Sequence, residues 1–205
     1  MNHTYTKIYS CKVKGNQIVV EGSLGGVSRV PYLKYKQIYE FFTGGTVKIS
    51  TQCRVKDEYK MRLPRLGYEF KLSVNNSRFK YYGMGPYECY TDMNLHTRYG
   101  LYESTPEEEY VNYPYPQEHG GHYGVKRLCF PTGLDIWADD KMEINVSAYD
   151  ADTLENARHT DELIKNGYTN VRVDYRVSGV GNGYCGVLPE HAILEKEINF
   201  VLYLK

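Results

Sequence analysis

Alternation with a period of two constrains this chain more than any other feature. Val47, Ile49, Thr51, Cys53 and Val55 are separated by Lys48, Ser50, Gln52 and Arg54. Successive side chains of a strand point to opposite faces, so such a segment buries one side and wets the other. The rhythm recurs in Leu66, Tyr68, Phe70 and Leu72, in Met142, Ile144, Val146 and Ala148, in Val171, Val173, Tyr175 and Val177, and in Ile198, Phe200, Leu202 and Leu204. Turn chemistry separates the runs at Lys14-Gly15-Asn16, Thr43-Gly44-Gly45, Asn75-Asn76 and Lys165-Asn166-Gly167. Many short strands with one apolar face predict an all-β fold, an antiparallel sandwich or barrel. One segment departs from the pattern. Asp150 is a good N-cap, acids follow in the first turn, and Leu154 and Ala157 share a face, which predicts one short helix over about 151–159. No linker, repeat or low-complexity tract interrupts the 205 residues, which are read as a single domain.

Charge excludes two broad classes of partner. The 25 basic and 25 acidic residues cancel, which argues against a surface for nucleic acid or anionic lipid. No apolar run approaches the length of a membrane span. Cys11, Cys53, Cys89, Cys129 and Cys185 are scattered without CxxC or Cys/His ligand spacing, so reduced thiols in a cytoplasmic protein are expected rather than disulfides or structural zinc. The 22 tyrosines are the compositional outlier; a large apolar body with a polar tip suits strands, interfaces and sugar-facing surfaces alike.

The densest chemistry lies in the stretch Phe79 to Asp92. It opens as a strand through Phe79, Tyr81 and Tyr82, and is expected to break on Gly83 and Gly85 as residues free to take positive φ, with Pro86 fixing the next turn. Glu88 and Asp92 then fall on a loop packed by tyrosines. Glu88, Asp92 and Glu118 are the carboxylates of the right type for a glycosidase pair, which needs two such groups facing each other across a bond; acids beside tyrosines more often accept hydrogen bonds from loop backbone. Glu118-His119-Gly120-Gly121-His122 holds three ligand-type side chains, but its glycines spoil the helix that would align them, and solvated loop histidines are expected instead of a metal site. Glu107-Glu108-Glu109 reads as a solvated turn. Gly181-Asn182-Gly183-Tyr184-Cys185-Gly186 spells GxGxxG after a strand, but Pro189 follows and no helix opens to receive a pyrophosphate.

These stretches together resemble a known family. Tyr82-Gly83-Met84-Gly85-Pro86-Tyr87-Glu88-Cys89-Tyr90-Thr91-Asp92 is similar to the W/Y-x-G-x-G-P-x-E-x-Y-x-D signature of the C-terminal, small-chain region (domain 5) of family 2 β-galactosidases. Tyr110 to Gly120, with Pro116, Gln117 and Glu118, resembles that region's Y-x-x-Y-x-x-P-Q-E-x-G stretch, and Arg127 sits where the family carries its following arginine. Ala148 to Leu163 matches its short helix and H-x-x-E-L ending. Val180 to Pro189 is similar to the glycine-rich loop before its last strands.

The resemblance implies a supersandwich like that of galactose mutarotases, here N-terminally truncated. It implies that Gly83, Gly85, Pro86, Glu88, Pro116, Gln117, Glu118 and Arg127 are structural. It also implies that the catalytic carboxylates lie in a separate (β/α)8 barrel, so that no catalytic residue, metal or cofactor is expected in this chain. The expected partners are that barrel, a galactoside sugar and, through bare strand edges in the first 60 residues, a second copy; nucleic acid and membrane are not. In the family this region lends a loop, commonly with a tryptophan, to the sugar pocket. Cys185 holds the matching position and Tyr184 offers an aromatic face beside it. The whole enzyme is expected to hydrolyse terminal β-D-galactosides such as lactose. A stand-alone carbohydrate-binding module and a mutarotase-like protein are the alternatives.

Overall fold

The computed structural model describes residues 4–181 and 186–205. The chain divides into two compact units. One comprises Met1–Arg62, Ile136–Asp139 and Leu194–Lys205; the other comprises Leu63–Asp135 and Asp140–Ile193. Both are built of antiparallel strands; among the described residues the fold shows the all-β class expected from the alternation and one short α-helix, the one expected after Asp150.

The first unit is a meander. Strands β1 (Thr4–Lys14), β2 (Gln17–Gly26), β3 (Leu33–Phe41) and β4 (Val47–Val55) pair in order. The last strand of the chain, β11 (Glu197–Leu204), pairs with β4 and with the beginning of β9 (Asp135–Ser147). Gly15, Gly44 and Gly45 take positive φ in the connecting turns, where a Cβ would be strained. In β4 the residues the alternation assigned inward, Ile49, Thr51, Cys53 and Val55, are buried, and they pack with Leu33, Ile198 and Leu202.

In the second unit β5 (Arg65–Ser73) pairs with β10 (Tyr168–Val177), which pairs in turn with the remainder of β9. Strand β6 (Phe79–Gly85) lies between β7 (Arg98–Ser104) and β8 (Gly121–Cys129). Helix α1 (Ala151–Asn156) starts where the sequence places it: the Asp150 carboxylate accepts from Thr153 N at 2.9 Å, and Leu154 is buried. Phe79, Tyr81, Leu128, Ile144, Val146, Val171 and Val173 form the core, each large side chain contributing about 1.5–3 kcal/mol by leaving water.

Two expectations are corrected here. Strand β6 runs through Gly83 and Gly85, and neither takes positive φ. They are required by close approach instead. A Cβ on Gly83 would lie 2.6 Å from Val125 Cγ2, and one on Gly85 would lie 2.8 Å from the Tyr102 ring. The second correction concerns burial. The polar positions of β9 and β10 do not face water, because Glu143, Asn145, Ser147, Arg172 and Asp174 are as buried as their apolar neighbours. Both sides of this part of the sheet are covered.

Candidate functional site

Beyond Gly85, the backbone leaves the sheet and returns on itself. Tyr90 and Met93 exchange backbone hydrogen bonds of 2.9 and 3.0 Å, and the Asn94 amide donates to the carbonyls of Tyr90 and Thr91 at 3.0 Å. The resulting tight turn holds Asp92 in a buried position. Its carboxylate accepts from Val180 N at 3.0 Å and from Gly181 N at 2.9 Å. Thr91 Oγ1 lies 3.3 Å from His191 Nδ1, and Gly179 N donates to the His191 carbonyl at 3.0 Å. Both arms of the glycine-rich loop are thus fastened to one turn. Tyr184 and Cys185, the residues expected to reach a sugar, lie outside the described residues.

Glu88 and Glu118 each anchor a different piece of irregular backbone. Glu88 accepts from the Tyr113 hydroxyl and from Gly120 N at 2.9 Å, and burial together with that carboxylate pushes the Tyr113 phenol up to about 12. One oxygen of Glu118 accepts from Arg65 Nη1 and from Arg172 Nη1, both at 3.1 Å. Arg65 also donates to Asp174, and Arg172 to Glu69 at 3.1 Å. This charged cluster covers the polar side of β9 and β10, where the Asn145 amide donates to the His119 carbonyl. Pro116 is buried at the start of the same segment, while Gln117 is exposed and its carbonyl accepts from His119 Nδ1 at 2.9 Å. Arg127 stands apart, largely exposed, in a bidentate pair with Asp135. Pro86 is exposed just past β6.

Three features of this unit were not visible in the sequence. Glu109 is not a solvated member of an acidic run, and His122 is not a solvated loop histidine: they pair at 2.8 Å with 6% and 1% of their side chains exposed. Burial alone would pull the His122 imidazole down, but Cys89 and Glu109 beside it outweigh burial and push it up to about 9. Glu143 sits opposite Asp174 in the register of β9 and β10. Burial first, and the neighbouring Asp174 second, push its carboxyl up to about 8, and its Oε1 has no hydrogen-bond partner. The link from Asp92 to residues 180 and 181 is the third. A local pattern carries no signal for a partner 88 residues away. Among the described residues no group of three or more His, Cys, Asp or Glu side chains is placed to hold a metal.

A family model described as beta galactosidase small chain matches residues 2–204. The chain belongs to the β-galactosidase small-chain family. The beta-galactosidase of Actinobacillus pleuropneumoniae is 28% identical over 199 residues, 94% of this chain and 20% of that protein. That of Kluyveromyces lactis is 32% identical over 171 residues, 80% of this chain and 16% of that protein. The beta-galactosidase of Streptococcus thermophilus is 32% identical over 133 residues, covering 62% and 13%. The small-chain region described here therefore spans about a fifth or less of the length of these curated relatives. Within that family region the Tyr82–Asp92 motif, the Glu118 segment and the 180–193 loop meet in one unit through the contacts just described.

Proposed function

We propose that this small-chain region is a non-catalytic part of a retaining β-galactosidase that hydrolyses terminal β-D-galactosides such as lactose. It packs on the catalytic barrel of the same enzyme and lends the loop between Gly181 and Gly186 to the sugar pocket, with Tyr184 and Cys185 as the contacting side chains. The observation that carries the reading is the engagement of the three candidate carboxylates. A retaining pair must face a sugar across the scissile bond at roughly 5 Å separation. Glu88 is instead bound to Tyr113 and Gly120, Asp92 to Val180 and Gly181, and Glu118 to two arginines. The free thiols of Cys11, Cys53, Cys89 and Cys129 support a reducing, cytoplasmic setting.

The purified chain is expected to leave a chromogenic β-galactoside uncleaved. In the complete enzyme, Tyr184→Ala and Cys185→Ala are to be compared separately with the parent for kcat, KM and Tm. The expected result is a change of about fivefold in KM or kcat for at least one variant, the size of a lost side-chain contact of ~1 kcal/mol, with Tm unchanged. Two variants indistinguishable from the parent would remove the loop's role, and turnover by the isolated chain would remove the non-catalytic assignment.

A further inference from the structure

Glu143 and Asp174 are neighbouring buried carboxyls with unequal surroundings. They face each other in the register of β9 and β10, with 4% and 2% exposure. Asp174 accepts from the Arg65 guanidinium. Glu143 is met by the Val177 amide, but among the described residues its Oε1 has no hydrogen-bond partner. A buried carboxyl left in that state holds its proton, because an unpaired charge there costs far more than neutrality.

Glu143 is also the buried polar side chain of a cleft of about 440 Å³. Lys141 and Glu143 share one face of β9, and both line it. Tyr123 of β8 and Tyr175 of β10 are its half-buried aromatic residues, and Asp140 and Glu190 are exposed acids at its rim. Two cations belong to the same lining. Lys141 is exposed, and Arg176 donates to the Ala192 carbonyl at 3.3 Å. Once Glu143 ionises, three carboxylates therefore face two cations, with Asp174 and Arg65 behind Glu143 as a pair already matched.

This lining complements a flat cation. An anion would meet Asp140, Glu190 and Glu143 together. A guanidinium donates several N–H groups in a fixed plane to a carboxylate, and its face stacks on tyrosine rings. An ammonium has no such face. We infer that the cleft receives the guanidinium of an arginine presented by the remainder of the enzyme, which Glu143 accepts from between Tyr123 and Tyr175. The inference rests on the packing against the catalytic barrel proposed above, and it assigns that packing one contact.

The recognition is measured on the purified chain by NMR titration with N-acetyl-arginine methylamide, its lysine counterpart and its neutral citrulline counterpart. The arginine compound is expected to bind in preference to the other two. Glu143→Gln should weaken it about tenfold, since an amide loses the charge-assisted bonds. Glu143 is held up to about 8 by burial first and Asp174 second, and the probe stays cationic throughout. Its affinity should therefore rise about tenfold or more from pH 6.5 to pH 8.5 and level off above, as the carboxylate form becomes available. Docking is measured in urea at pH 8. Glu143→Gln is expected to lower the concentration that inactivates the complete enzyme, while the same change does not lower the unfolding midpoint of the chain alone.

Equal binding of the citrulline or lysine compound, or arginine binding indifferent to Glu143→Gln and to pH, overturns the guanidinium assignment. A Glu143→Gln effect of the same sign in chain and complete enzyme overturns the docking, because the cleft is then filled by nothing from outside. Neither result touches the non-catalytic reading, which falls only if the chain alone turns over a galactoside. Should Glu143→Gln fail to fold, Tyr123→Leu, expected to weaken the arginine compound severalfold through lost stacking, decides together with the parent's pH profile.

Discussion

At the scale of single residues, two buried titrations make stability fall as pH rises. The His122 imidazole is raised from 6.5 to about 9, so its pairing with Glu109 contributes fully below pH 6.5 and is lost between pH 6.5 and 9. Glu143 is raised from 4.5 to about 8. Its carboxyl is neutral in the folded chain where it would already be ionised in the unfolded one. The resulting cost is absent below pH 4.5 and grows until pH 8. Both effects have the same sign, and each is on the order of a few kcal/mol. Tm is expected to decline steadily from pH 6 to pH 9 in a calorimetric series. Glu143→Gln, which keeps the shape and removes the ionisation, should melt above the parent at pH 8 and match it near pH 5. A variant that melts lower at pH 8 would show that the carboxylate is needed there in its charged form.

At the scale of elements, the alternating pattern was legible because it reports something local. Strands β4, β5, β10 and β11 appear where Val47–Val55, Leu66–Leu72, Val171–Val177 and Ile198–Leu204 place them, and Asp150 caps α1 as its type and position predict. What escaped is non-local. Gly83 and Gly85 read as turn residues, yet they are strand residues whose missing side chains admit Val125 and Tyr102. Glu109 and His122 read as solvated because the partner that makes each one's burial tolerable lies 13 positions away. Asp92, Glu88 and Glu118 stand out in the sequence as acids, but only the folded chain assigns each its donors. Tyr184 and Cys185 rest on the resemblance alone. The close approach at Gly83 gives a direct check. Gly83→Ala should destabilise the chain by about 1–3 kcal/mol through overpacking, and Val125→Ala in the same molecule should restore part of it. Full tolerance of Gly83→Ala in a denaturant titration would mean that β6 and β8 separate easily.

At the scale of the whole molecule, β1 ends its sheet. Among the described residues it pairs with β2 alone, and Tyr5, Ile8, Tyr9 and Val13 on it are exposed. An unpaired edge invites another strand, although Lys7, Lys12 and Lys14 oppose close approach. With a formal net charge of zero, long-range repulsion does little to prevent it. The isolated chain is expected to associate as its concentration rises. Sedimentation should show that Ile8→Lys shifts the equilibrium toward monomer; a parent that sediments as a monomer at millimolar concentration would exclude this edge as an interface. The closeness of residues 181 and 186, where a Cβ added to Gly181 would stand 3.3 Å from Gly186 Cα, has a wider consequence. Whatever sequence is spliced between those two positions begins and ends at neighbouring points, so lengthening it adds little closure entropy. Such a socket lets the sequence between the two positions change while the scaffold around it stays the same.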